Sequence, residues 1–363
     1  MTALVDKDIK KFIKLGIMKS KIGIEDSQIQ PSSFDLRVDD KMFVIPSSFL
    51  PINSDIDTFL KETSYEILDI NEGIILYPGN VYIIPILEEL KLPINVFAKT
   101  NPKSSFGRID LLTRVIADKV SHFDYLPKGY KGKLYLEVIP QSFPVKLSKF
   151  VSLTQLRFFK NDSNILKDKE LYDLNKKFPL LYDENGNKLD IKKYIHNNGL
   201  YLTVDVNHKL VGYKSKNASK FIDLIKKEYY DPDDYFEKIY AKDEKLILER
   251  GSFYILKTKE NISIPVDYSC EIVPIEPTLS DLRSHYAGFF DPGFGNGGKK
   301  NMKGSPAILE VRTSDHNFMI QNGQRIARFE FVKNSSLPDK SYGVGSNYFL
   351  QQGIKLAKFF KSK

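Results

Sequence analysis

The chain repeats itself, and this constrains its fold more than any other feature. ILYPGNVYIIPILEELKLPINV (75–96) resembles ILERGSFYILKTKENISIPVDY (247–268). Each has a Gly, a Tyr-Ile pair, a Glu, and an Ile or Leu before Pro, in that order. GKLYLEV (132–138) matches SPAILEV (305–311), and LSKFVSLTQLRFFKN (147–161) matches FMIQNGQRIARFEFVKN (318–334) with a small gap. Upstream, SSFDLRVDDKMFVIPSS (32–48) resembles GLYLTVDVNHKLVGYKS (199–215). The order is the same in both halves, so the simplest reading is two tandem copies of one domain of about 150 residues. The repeated segments are short, rich in Ile, Val, Leu, Tyr and Phe, and punctuated by Gly, Pro, Asn and Asp, so each copy reads as a β-barrel or sandwich.

The seam falls in 161–198, which is polar and rich in Asn, Asp and Lys, as linkers are. At the start, Ile9, Phe12, Ile13 and Ile17 have helical spacing and predict a short amphipathic helix ending near Gly16. The insert 217–245 reads as helix, Asp-Pro break, helix. The opening residues lack the apolar core of a signal peptide, and no run approaches ~18 apolar residues, so a cytoplasmic protein without a membrane span is expected. The single Cys, Cys270, excludes disulfides and Cys-x-x-Cys zinc sites, and the five His form no metal-binding spacing. The net charge of +8 points to nucleic acid or to a small polyanion such as a nucleotide.

Four segments carry possible chemistry. KSSFGR (103–108) groups two hydroxyls, a Gly and two cations after a strand, which suits a phosphate chain, although a solvated turn has the same composition. Glu310 lies within an apolar strand, where burial raises a carboxyl pKa and makes it a usable proton shuttle. Its repeat partner is Glu137, and a strand Glu is more commonly on the surface. AGFFDPGFGNGG (287–298) contains a turn whose Phe residues form either an apolar wall for a planar base or ordinary turn packing. The tail 341–363 reads as a closing lid or as a frayed terminus.

Together and in this order, these residues resemble the dCTP deaminase branch of the dUTPase-like superfamily. DKDIKKFIKLG is similar to the family's opening helix, and IQPSSFDLRV (29–38) to its first barrel strand. KSSFGR resembles the family's phosphate motif with Lys103 in place of the first Arg. AGFFDPGF resembles its Asp-Pro-Gly hairpin, LEV (309–311) the strand bearing its catalytic Glu, and NYFLQQG (347–353) its tail segment. The resemblance implies a mainly β fold of two tandem dUTPase-like distorted β-barrels, of the β-clip or jelly-roll type, with short flanking helices. The first barrel, with the phosphate motif, would occupy 1–165. A linker would span 166–198. The second barrel, with the catalytic hairpin and C-terminal lid, would occupy 199–363.

The resemblance also implies zinc-independent hydrolysis of dCTP to dUTP and ammonia, with Mg²⁺ held through the substrate phosphates. Glu310 would shuttle protons, and Ser104 with the Ala287 carbonyl would orient water. Lys103, Ser105 and Arg108 would hold the triphosphate, Asp291 would approach sugar and base, and Tyr342, Tyr348 and Gln351 would close over the phosphates. Phe289 stands where the family often has Arg, and Asn347 where it often has Lys; by position, Arg283 and His285 would restore the missing polarity. The first copy has the phosphate motif but Pro127 where the hairpin Asp belongs, and the second has the hairpin without the Ser-Ser motif, so one composite site per barrel pair is expected. Self-association as a trimer of two-barrel chains fits the family's packing. Two rivals remain: a dUTPase or bifunctional enzyme releasing dUMP and pyrophosphate, and a non-catalytic basic nucleotide- or nucleic-acid-binding module, with nucleic acid the lesser expectation.

Overall fold

A computed structural model describes residues 2–362 except 161–164, 277, 280–282, 285–287, 297–302, 314–315, 341, 344–347 and 349–350; residues 283–284 are described as backbone only. The structure is mainly β, with a few short helices. It divides into two compact units. The first holds Leu4–Asn161, Asn217–Asp231 and Ala357–Lys363; the second holds Met1–Ala3, Asp162–Lys216 and Pro232–Leu356. The expected bounds are therefore corrected: segments 217–231 and 357–363 group with the first copy, and residues 1–3 and 162–165 with the second.

In the first unit the helix Asp6–Lys14 forms as its pattern predicts: Ile9 and Phe12 are buried, and the Asp8 carboxylate accepts the Val5 N–H at its start. Phe12 meets Phe158 edge-on at 5.3 Å. One sheet places Thr154–Lys160 between Phe34–Leu36 and Val96–Pro102, with Tyr125–Leu126 at its edge. A second runs Leu111–Ile116, Tyr135–Pro140, Val81–Pro85, Lys41–Ile45, Glu66–Asp69. Ile45, Ile83, Ile116 and Tyr135 pack beneath it, with Ile56 and Leu60 of the helix Ile56–Thr63.

The second unit repeats this plan. Arg325–Lys333 lies between Gly199–Thr203 and Tyr268–Val273, with Phe289–Phe290 at the edge. Phe253–Ile262 pairs with Ser305–Arg312. The repeat extends to individual hydrogen bonds. The Tyr82 hydroxyl accepts the Tyr77 N–H at 3.0 Å, and the Tyr254 hydroxyl accepts the Glu249 N–H at 2.7 Å. Buried Glu88 accepts the Arg37 N–H at 2.8 Å, and Glu260 accepts the Thr203 N–H at 2.8 Å.

Two local expectations change. Residues 166–198, expected as a linker, are folded. The helix Asp168–Lys177 buries Leu171 and Leu174, Leu181–Tyr182 pairs with Phe253–Ile262, and Ile191 is buried. A few well-spaced apolar residues are enough to seat a polar segment on a core. The insert 217–245 is not two helices. It holds the strand Ile222–Asp223, a turn of 3₁₀ helix at Pro232–Asp234, and the strand Phe236–Ile239. Strand pairing wins because Val145–Leu147 offers an open edge, where Ile222 pairs in parallel with Val145.

Candidate active site

The phosphate-type motif sits where the strand Val96–Pro102 ends. Lys103 N–H donates to the Leu153 carbonyl at 3.0 Å, and the chain then makes one helical turn, Ser104–Gly107. Ser105, Phe106 and Arg108 are buried. The Lys103 ammonium pairs with the buried carboxylate of Asp35, which also accepts from Gln30 Nε2 at 3.2 Å. Asp35 has no counterpart among the residues singled out from sequence. It lies on a neighbouring strand 68 residues away, and only the fold brings it to the motif.

Matched turns follow in both units. Tyr130 N–H donates to the Pro127 carbonyl at 3.1 Å, and Phe294 N–H donates to the Asp291 carbonyl at 3.1 Å. Gly129 and Gly293 hold the positive φ values, 72° and 88°, that such turns require at their third position. The sheet register equates Pro127-Lys128-Gly129-Tyr130 with Asp291-Pro292-Gly293-Phe294, because Leu126 pairs with Ala98 as Phe290 pairs with Cys270. The first unit therefore has no carboxylate at the turn position where the second has Asp291.

Around Asp291, Phe290 meets Phe294 edge-on at 4.8 Å, and Tyr342 lies 5.3 Å from Phe294. The loop then closes tightly on the long strand: Ile264 N–H reaches the Phe294 carbonyl at 2.8 Å, and Gly295 leaves no room for a Cβ, which would lie 2.0 Å from the Ile262 carbonyl oxygen. Glu310 is buried mid-strand, opposite Ile255. Tyr348 and Gln351 belong to this unit, and the Gln351 amide donates to the Gly353 carbonyl at 2.7 Å. Arg283 begins a strand that pairs with Arg312. Ala287 and His285 lie outside the described residues.

The repeat partner of Glu310 is Glu137. Glu137, opposite Ile83, is fully buried, and its Oε1 takes both Nε and Nη2 of Arg114, at 2.8 and 2.5 Å. Arg114 also stacks on Phe123, 3.8 Å from the ring centroid. A carboxylate neutralised in this way is a structural group rather than a proton shuttle. In the second unit the corresponding corner has a different composition, and Glu276 there pairs with Arg328 Nη1 at 3.8 Å. After Pro274 the chain carries Glu276, which accepts the Tyr201 hydroxyl; that bond holds the Glu276 carboxyl below its usual pKa.

Near Glu137, burial pushes the Asp124 carboxyl up to about 6, although it accepts from Thr100 Oγ1 at 2.7 Å and from the Val115 N–H at 2.8 Å. The folded protein thus holds this proton above the unfolded value of about 3.9, so the group's contribution to stability is present below about pH 4 and is lost as pH rises through about 6. Urea midpoints of the parent and Asp124→Asn should diverge in the variant's favour between those values and run parallel above them. A constant gap across that range would refute the shift.

Among the described residues no cluster of three or more His, Cys, Asp or Glu stands together, and no helix is long and apolar enough to cross a membrane.

Residues 2–162 match the family model of the 2'-deoxycytidine 5'-triphosphate deaminase N-terminal domain, and residues 167–360 match that of the C-terminal domain. A solved 2'-deoxycytidine 5'-triphosphate deaminase from Agrobacterium tumefaciens superimposes with a TM-score of 0.84 at 33% identity, covering 93% of this chain and 99% of that one. A dCTP deaminase, dUMP-forming, from Corynebacterium glutamicum is 32% identical over 167 residues, 44% of this chain and 82% of the relative. One from Methanosphaera stadtmanae is 30% identical over 143 residues, 38% of this chain and 68% of the relative.

Proposed function

The chain belongs to the 2'-deoxycytidine 5'-triphosphate deaminase family and is a hydrolase that removes the cytosine amine of dCTP, and from that premise we propose that its products are dUTP and ammonia and that Glu310 is the proton shuttle. The observation that carries this reading is the burial of the Glu310 carboxylate in the unit that also bears the Asp-Pro-Gly turn and its aromatic wall. A shuttle must alternate between carboxylate and acid during each turnover, and a buried strand position keeps bulk water from competing for its proton.

In the proposed reaction water adds to C4 of cytosine as Glu310 takes its proton. Glu310 passes that proton to N3, then takes the proton of the new C4 hydroxyl and hands it to the amine; as the C4 carbonyl forms, the C4–N bond breaks and ammonia leaves. Ser104 and the Ala287 carbonyl orient the water. Lys103, Ser105 and Arg108 hold the triphosphate, which enters with Mg²⁺ on its own oxygens. Asp291 meets sugar and base, Tyr342, Tyr348 and Gln351 close over the phosphates, and Arg283 and His285 supply polarity beside the base. We read each unit as one distorted barrel, and the chain as self-associating and cytoplasmic.

A second reading adds hydrolysis of dUTP to dUMP and pyrophosphate, and the dUMP-forming names of the Corynebacterium and Methanosphaera relatives favour it. The Agrobacterium structure, which covers 93% of this chain, is named as a deaminase alone, which favours dUTP. Incubation with dCTP and Mg²⁺, followed by separation of dUTP, dUMP and pyrophosphate, distinguishes them. Accumulating dUTP supports the first, and dUMP with equimolar pyrophosphate the second. If dCTP is not consumed, neither stands.

A further inference from the structure

The last residues of the chain fold into the first unit, beside the segment that carries the phosphate-type motif. Glu228 N–H donates to the Lys358 carbonyl at 2.9 Å, Tyr229 and Tyr230 N–H to the Phe359 carbonyl at 2.9 and 3.0 Å, and Lys361 N–H to the Tyr230 carbonyl at 2.9 Å. Phe359 is buried, its ring 5.8 Å from that of Phe106, the fourth residue of KSSFGR. The Lys358 ammonium lies 5.5 Å from the centroids of both rings. The tail thus holds a lysine against the motif with backbone hydrogen bonds and an aromatic seat, which fixes its position far better than a surface side chain is fixed.

Its charged surroundings are unusual. Lys103 and Lys227 are both close enough to repel its charge, and Asp35 is the acid near enough to offset them. Arg108 adds a further buried cation to the same motif. Burial, followed by the two lysines, lowers the Lys358 ammonium to about 8. Like charges gathered in a partly buried place are unfavourable alone and become favourable when a polyanion joins them.

We propose that Lys358 is a further substrate-binding residue, a cation delivered by the C-terminal segment to the phosphate chain of the nucleotide held at Lys103, Ser105 and Arg108. This rests on the deaminase reading for its substrate, and it adds a residue from outside the motif. The tail docks through the backbone, so the lysine is in place before substrate arrives and little side-chain entropy is lost on binding.

The test uses the full chain with Lys358→Gln and Lys358→Arg. Steady-state assays with dCTP and Mg²⁺ are combined with calorimetric titrations of inorganic triphosphate and of deoxycytidine. The Gln variant should raise KM for dCTP about 10-fold with kcat within about twofold, the scale of one charge-assisted hydrogen bond. It should weaken inorganic triphosphate by a similar factor and leave deoxycytidine unchanged, and the Arg variant should restore most of the loss. Unchanged triphosphate affinity, or an equal loss for deoxycytidine, overturns the proposal. Lys358→Met keeps the stem over Phe106 and Phe359, and if both Gln and Met variants unfold, the residue is structural and the proposal fails. A parent protein that binds inorganic triphosphate through Lys358 but does not consume dCTP would leave this inference standing and remove the deaminase reading.

Discussion

Glu310→Gln should lower kcat for dCTP by at least ~100-fold while dCTP affinity stays within about threefold, because a general base contributes 10²–10⁴ to rate and the amide keeps the shape of the acid. Single-turnover assays and equilibrium binding separate the two quantities. Glu137→Gln is the control that gives the result meaning. Glu137 occupies the same place in the repeat, but Arg114 holds its carboxylate. Its replacement should cost stability, by weakening a buried ion pair, and leave kcat near the parent value. If Glu310→Gln turns over normally, the proposed shuttle is wrong. If Glu137→Gln is the inactive variant, the roles of the two carboxylates are reversed.

Arg108→Ala should raise KM for dCTP by about 10- to 100-fold, the range expected when a hydrogen-bonding charge is removed from a bound anion. Arg108 is only 5% exposed, so water cannot easily replace it. Arg108→Lys keeps the charge but lacks the planar fork, and should recover part of the loss. The loss should fall with each phosphate removed, largest for dCTP and smallest for dCMP. An equal loss for both nucleotides would mean that Arg108 supports the fold rather than the phosphates.

The repeat was legible because the residues that mark it are held by the backbone in each copy. Tyr82 and Tyr254 each accept a main-chain N–H from five residues upstream, and Glu88 and Glu260 accept the main-chain N–H of Arg37 and Thr203. The split of motifs was legible for a related reason: Pro127 and Asp291 sit in the same turn, and the turn survives the exchange because its geometry rests on Gly129 and Gly293.

What was not legible is non-local. Asp35 meets Lys103 only after two strands align, and Lys358 reaches the motif only because the tail docks on 228–230. The insert failed for want of length. A short apolar cluster such as Phe221, Ile222, Leu224 and Ile225 suits helix and strand alike, and the neighbouring edge decides between them.

The way the chain is shared between its units also limits how it can be dissected. A fragment expressed as residues 1–161 would carry the phosphate motif but not the strand Ile222–Asp223 that covers Val145–Leu147, nor the closing segment that seats Phe359 against Phe106. It would expose an unpaired strand edge and an apolar socket, both of which invite aggregation. A faithful half-protein therefore has to be assembled from pieces, with the 217–231 and 357–363 peptides supplied in trans or grafted by loops, rather than cut from the gene at the boundary between the repeats.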